Sequence, residues 1–385
     1  METIVKASRP EQLLAIVPIL VGVQPVESAV FVAFRGKRSQ GALRISLPPD
    51  EHEPASAAAA WAIGTLCKVR EVDSVALVVY SSTGSAGESG SQLVAAALHA
   101  ADRAGFGVRE ALWVGAEGWG SYFEPESAPR PLALIDEALR EHRAEADLPD
   151  SPSITSLAEV RLPPAAYLAA FDGALDRFDP PPSLERACDE VLRILDEHLQ
   201  PDAGQREPMP AEHAAALVAL SHSPVLRDVM MLHSAFGNSA FGNSAFGNSA
   251  FGNSAFVGSR LASEVHSRDI ARSVLPTSHA EDSAAYAEAL ELASRLLIGE
   301  GPRPDRARLG RAIEVFSWLA GAAKELAAPA LTVLAWLHWT CGLGSVAGEV
   351  LDRARELEPD YGMAQLLEQV LRSGKLPEWA FNPDA

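Results

Sequence analysis

Cysteine is scarce in this chain: only Cys67, Cys188 and Cys341 occur, far apart, odd in number and never as CxxC. That argues against a disulfide framework or a cysteine zinc site and fits a reducing cytoplasm. Positive charge is also in short supply, with 32 Lys and Arg against 51 Asp and Glu and a formal charge of -19. A general nucleic-acid binder needs cationic surface to displace counterions from phosphates, so nucleic acid is excluded as a partner, as is an anionic membrane surface. Long apolar runs are missing. The longest near the start, 13–23, is broken by Pro18 and Gly22. A bilayer needs about 20 apolar residues, and the run has no small-residue cleavage pattern of a leader peptide.

Motifs that commit to a reaction are absent as well. There is no GxGxxG, no GxxxxGK[ST] and no HExxH, and Gly87-Glu88-Ser89-Gly90 is one residue short of GxSxG. The ten histidines are scattered, none three or four residues from another. No cofactor or metal is implied, and catalysis stays open because triads form in space and not in sequence.

What the chain does have is a change of pattern along its length. Residues 11–21 read as a short helix. Residues 29–34 (AVFVAF) and 42–47 (ALRISL) read as strands of a hairpin around a polar turn with Gly36. An Ala-rich helix is expected over 54–70, a strand covered on both faces over 75–80 (VALVVY), a helix over 92–104 ended by Gly105, and a strand over 108–114. A turn at 117–120 then leads to Tyr122. Strands separated by helices predict an α/β (α+β) domain, its mixed or largely parallel sheet flanked by helices.

Prolines and charges dominate 125–162, read as a linker or irregular excursion between the α/β domain (1–124) and an all-helical remainder. Helices are expected over 163–177, 183–199, 211–220 and 224–232, making a helical segment 163–233. After 234–258 a helical domain (259–385) carries helices over 281–298, 305–326, 329–341, 345–356 and 361–372. Between them Gly-Asn-Ser-Ala-Phe repeats in tandem at 237–241, 242–246, 247–251 and 252–256, after a partial copy at 234–236. A five-residue period turns each Phe by about 140° on a helix, so no stripe forms. On a strand it alternates faces. A single coil of a five-residue β-helix has no neighbour to stack upon. The tract therefore reads as a tolerated loop expansion. Local helix or turn structure and an interaction element are its alternatives.

Two constellations bear on function. Trp336, Ala347, Leu351, Ala354 and Pro359 follow the spacing of one tetratricopeptide-like helical hairpin. It reads either as a peptide-binding groove or as a hairpin packed within its domain. Trp336 and Trp339, three apart, suit a core better than a ligand platform. The loop 81–91 (SSTGSAGESGS) follows a buried-type strand and precedes a helix, the place where open α/β sheets bind ligands, and it reads either as a flexible connection or as a ligand loop. Around it Glu27, Ser28, Arg44, Ser82, Thr83 and Tyr122 are the candidate ligand-binding residues. Glu27 and Ser28 have two readings: caps of the turn after Pro25, or part of a functional site holding a buried carboxylate.

The segment 13–22 (LLAIVPILVG), followed by Pro25, Glu27, Ser28 and AVFVAF, resembles the opening of the domain of unknown function 4192 family. Arg44-Ile45-Ser46-Leu47-Pro48 resembles that family's second strand, and Trp113-Val114 through Trp119-Gly120-Ser121-Tyr122 its WxS segment. Residues 334–339 (LAWLHW), Ala354 and Pro359-Asp360-Tyr361 resemble its C-terminal end. The resemblance spans most of the chain. It implies an uncharacterised, actinobacterial protein, and transfers a fold without a mechanism. Two departures stand out: Ser46 replaces the family's usual Asp, and Phe123-Glu124-Pro125 stands where the family often has cysteines, so a site built on those residues is in doubt here. The leading expectation is a non-catalytic interaction or regulatory protein whose C-terminal helices meet a protein partner. The alternative is a small-molecule-binding or enzymatic α/β domain with its site at the sheet edge.

Overall fold

A computed structural model describes residues 6–47, 55–82, 90–200, 209–237 and 284–381, with backbone only for 284–290. The chain forms two compact units, Met1–Ser156 and Leu157–Ala385. Thr83, most of the 81–91 loop and the pentapeptide copies beyond Gly237 lie outside the described residues.

The first unit opens with helix α1 (Pro10–Val21). Gln12 caps it by accepting from the amides of Ser8 and Arg9, and Gly22 ends it in the left-handed region at φ 74°. Pro18 sits inside the helix. Strands β1 (Ser28–Arg35) and β2 (Arg38–Ser46) form the expected hairpin. Helix α2 (Ala55–Leu66) is shorter than the 54–70 expected, because turns follow at once and Glu71 takes a positive φ of 59°. Strand β3 (Ser74–Tyr80), helix α3 (Ser91–Ala104) and strand β4 (Gly107–Val114) come next. Within the expected turn, Trp119–Ser121 is instead a short strand, β5, antiparallel to β4. It forms because pairing there buries Trp119 completely, with its Nε1 donating to the Pro131 carbonyl. Inside 125–162, helix α4 (Ala133–Glu145) packs on α1.

The sheet is mixed, in the order β2-β1-β3-β4-β5, and its one parallel pair is β3–β4. Parallel neighbours need a crossover, which α3 supplies. The two-residue side-chain period divides the buried residues between two faces. Val30, Val32, Ala76, Val78 and Leu112 pack with Leu13, Leu14 and Val17 of α1. On the opposite face Phe31, Ala33, Leu77 and Val79 are buried, and α2 and α3 supply Ala62, Ile63, Leu93 and Val94. Each such side chain contributes about 2 kcal/mol on leaving water, which is why β1 and β3, covered twice, are the most apolar strands.

The second unit is helical. Short α5 (Ile154–Ala158) straddles the division between units. Then come α6 (Ala165–Asp176), α7 (Leu184–His198), α8 (Ala211–Ser221), α9 (Pro224–Phe236), α10 (Ala284–Leu297), α11 (Arg306–Ala323), α12 (Ala328–Thr340), α13 (Gly344–Leu357) and α14 (Gly362–Arg372). The partial copy of the repeat, Ser234 to Phe236, is the buried last turn of α9, with the Phe236 ring edge-on to Trp379. Every residue of α12 is buried, and α13 packs on it through Ala347, Leu351 and Ala354. Buried polar groups tie α7, α9 and α11 together. His233 Nε2 lies 2.7 Å from Asp196 Oδ1, and Arg308 donates twice to the His233 carbonyl.

Two glycines of α11 make a matched test. A Cβ on Gly321 would strike the backbone carbonyl of Arg161, which cannot yield as a flexible side chain would. One on Gly310 would meet nothing within 4 Å. Gly321→Ala is expected to cost about 2 kcal/mol through overpacking. Gly310→Ala is expected to stabilise by about 0.5–1 kcal/mol by relieving the helix of a glycine. Urea midpoints of the two variants check the contrast; equal shifts would show that the close approach at Gly321 carries no cost.

Candidate functional site

The row Ser46–Ser28–Tyr80–Val114 forms one end of the sheet, set by the pairing of β2, β1, β3 and β4. It includes the carboxyl end of the only parallel pair among the described strands, the position where α/β sheets hold ligands. Glu27 stands just before this row and takes a left-handed φ of 41°, a backbone cost of about 1 kcal/mol for a residue with a Cβ. The strained turn directs its carboxylate at the chain leaving β3. Oε1 accepts from the Ser82 amide and the Ser82 hydroxyl, both at 2.6 Å, and Oε2 accepts from Ser81 Oγ at 3.0 Å. The Glu27 carbonyl accepts from the Leu47 amide, and the Ser81 amide donates to the Val114 carbonyl. Glu27 thereby fastens β1 to the start of the 81–91 loop. The other end of that loop is seated too: Gly90, at φ 74°, lies so near Val79 that a Cβ would come within 2.9 Å of it.

These bonds, those from Ser82 foremost, hold the Glu27 carboxyl below its ordinary titration range. It is half-buried and ionised at neutral pH. The Glu27 carboxylate therefore holds the chain leaving β3, not the turn after Pro25, and lacks the deep burial the functional reading supposed. Arg44 Nη2 donates to the Val26 carbonyl at 3.1 Å, and burial lowers its pKa.

Two hydroxyls in the row stand out. Ser28 Oγ and Tyr80 OH are both buried and neither has a hydrogen-bond partner. Their residues are cross-strand partners and so share a face. Burial drives the Tyr80 pKa upward, so the phenol stays protonated. A buried hydroxyl without a partner costs about 1–3 kcal/mol, and such atoms in a folded protein call for water, an ion or a ligand.

Of the residues expected at the site, Glu27, Ser28, Arg44 and Ser82 come together at this end of the sheet. Thr83 lies outside the described residues. Tyr122 stands apart: its amide donates to Ala111, whose partner on β3 is Leu77, three residues before Tyr80 and on the opposite face. Sequence reading missed Tyr80 and named Ser81 only as part of the loop 81–91. The available signal was a phenol at the end of an otherwise apolar strand, since a buried tyrosine hydroxyl needs a partner.

In the helical unit, Trp336 and Trp339 are buried, with their Nε1 groups donating to the Leu297 and Lys375 carbonyls. They are core residues. No described helix is long and apolar enough to cross a membrane.

A family model described as "Domain of unknown function (DUF4192)" matches residues 10–241 and 263–378. No curated protein and no solved structure matches the chain.

Proposed function

The chain belongs to the DUF4192 family, a family defined without a function, and from that premise we propose that its α/β unit binds a small hydroxyl-bearing molecule, neutral or cationic, at the Ser28–Tyr80 end of the sheet. The observation that carries this reading is the pair of buried hydroxyls, Ser28 Oγ and Tyr80 OH, without partners on one face of a strand end. Hydroxyls in that position donate to and accept from a polyol, sugar or amino alcohol equally well. The ionised Glu27 carboxylate beside them disfavours phosphates. Arg44 is engaged with the Val26 carbonyl. A carboxylate held ionised by three hydrogen bonds is a weak general base, which supports binding over catalysis.

The expected result for Tyr80→Phe is a split. In the ligand-free protein, losing an unpartnered buried hydroxyl leaves stability unchanged or raises it by about 1 kcal/mol. Ligand binding falls by about tenfold or more for each hydrogen bond lost. Ser28→Ala behaves the same way. Thermal-shift screening with polyols, sugars, amino alcohols and phosphate esters, on wild type and both variants, measures this. A shift with phosphate esters alone, or equal shifts in wild type and Tyr80→Phe, overturns the reading.

A second reading, a protein partner for the C-terminal helices, is favoured by one observation: Leu357 and Leu366 are exposed on either side of Pro359, at the end of the hairpin with tetratricopeptide-like spacing. It ranks second because α12 is buried all round and both of its tryptophans point their polar atoms inward.

A further inference from the structure

The helical unit brings together three metal-ligating side chains that are separated in sequence. His198 closes α7, His213 lies in the first turn of α8, and Glu197 precedes His198. One ligand atom from each lies within 4.8 Å of the others, and His198 Nε2 is 3.2 Å from His213 Nδ1. We propose that Glu197, His198 and His213 form a binding site for a divalent transition-metal ion, with zinc as its typical occupant.

The distances favour this. Two ligands each about 2.1 Å from a tetrahedral ion stand about 3.4 Å apart, and closer still in an octahedral one. The 3.2 Å between the ring nitrogens therefore already matches a shared ion. The two rings are inclined at 74°, so they do not stack. Glu197 is exposed, and a carboxylate oxygen of it already lies within 4.8 Å of a ring nitrogen of each histidine. Its 3.4 Å contact with Arg193 is longer than the 2.7 Å pair that Arg193 makes with Glu190. Two imidazoles and one carboxylate are borderline donors that select zinc, cobalt, nickel or copper over calcium and magnesium. Three protein ligands leave a coordination position for water or a small anion.

The cluster uses no cysteine and no short histidine motif, so sequence spacing gave no sign of it. It lies in the unit that does not hold the sheet-end site, and neither proposal depends on the other. In the absence of metal, the same two nitrogens share a proton in an N–H···N hydrogen bond.

The test uses the full chain, stripped with a chelator and then equilibrated with zinc alone. Dialysis with elemental analysis gives the stoichiometry, and cobalt substitution gives a visible absorption band from the imidazole and carboxylate ligands. One ion per chain is expected, with affinity reduced roughly 100-fold in His213→Ala and roughly 10-fold in Glu197→Gln. Circular dichroism establishes that the variants are folded. Should His213→Ala not fold, the exposed Glu197→Gln decides the matter. Absence of a stoichiometric ion in wild type, or variants that bind as wild type does, overturns the proposal and leaves the pair as a hydrogen bond only.

Discussion

Trp336→Ala is expected to unfold the helical unit at room temperature or bring it to the edge of unfolding. Trp336 is 1% exposed in a helix buried on every side, so truncation leaves a cavity that surrounding helices cannot easily fill. Large-to-small changes of this kind cost about 3–5 kcal/mol. The indole also donates from Nε1 to the Leu297 carbonyl at 2.9 Å, at the end of α10. Orphaning that carbonyl adds about 1–3 kcal/mol. The sum is comparable with the about 5–15 kcal/mol that holds a typical domain together. Trp336→Phe separates the two contributions, because it keeps most of the bulk and loses only the hydrogen bond, so about 1–2 kcal/mol is expected. Urea unfolding followed by the helical circular-dichroism signal measures both. A Trp336→Ala variant within 1 kcal/mol of wild type would mean that α12 is not the centre of its unit.

Acid is expected to weaken the same unit through one residue. His338 is 2% exposed, neither of its ring nitrogens has a partner, and burial lowers its pKa from 6.5 to about 4. Above pH 6.5 the imidazole is neutral whether the chain is folded or not, and it contributes no pH dependence. Between 6.5 and about 4 the unfolded chain takes up a proton that the folded chain refuses. Stability therefore falls as pH falls, by about 3 kcal/mol once pH is below the folded pKa. Other groups titrate in that range, so the decisive comparison is with His338→Leu, which cannot be protonated and removes two unpartnered buried polar atoms. Between pH 7 and pH 4 the variant should lose about 3 kcal/mol less stability than wild type, read from urea unfolding at each pH. Parallel losses in the two proteins would mean that His338 is solvated in the folded state.

Both predictions rest on residues the sequence had already placed on one helix between glycine and proline boundaries. Much of the fold was legible in the same way. AVFVAF announced a hairpin strand, and VALVVY a strand covered on both faces because a doubly buried strand drops its polar alternation. The Gly36 turn fixed the hairpin. What local pattern does not carry is pairing across long separations. β5 is three residues long, too short for a period, and exists because Trp119 finds a buried place beside β4. Tyr122 was grouped with Glu27, yet its amide donates to Ala111, whose β3 partner Leu77 lies on the face opposite Tyr80. Glu27 and Ser82 were legible as candidates only because loops after buried strands recur as ligand sites. Tyr80 was hidden by its neighbours, since a phenol in an apolar run looks like one more core residue until its hydroxyl is found without a partner. His198 and His213 are fifteen positions apart, on two different helices, and no sequence motif announces that they are neighbours.

The central claim is that the free hydroxyls of Ser28 and Tyr80 await a small hydroxyl-bearing ligand. Selective carbon labelling of the tyrosine rings gives five probes, of which Tyr80 lies at the sheet end and Tyr122 on the opposite face. Titrating the strongest polyol, sugar or amino alcohol from the thermal-shift screen should move the Tyr80 ring signal saturably and leave Tyr122 and Tyr361 in place. A Tyr80 signal that stays still at saturation, or moves no more than that of Tyr122, would contradict the account.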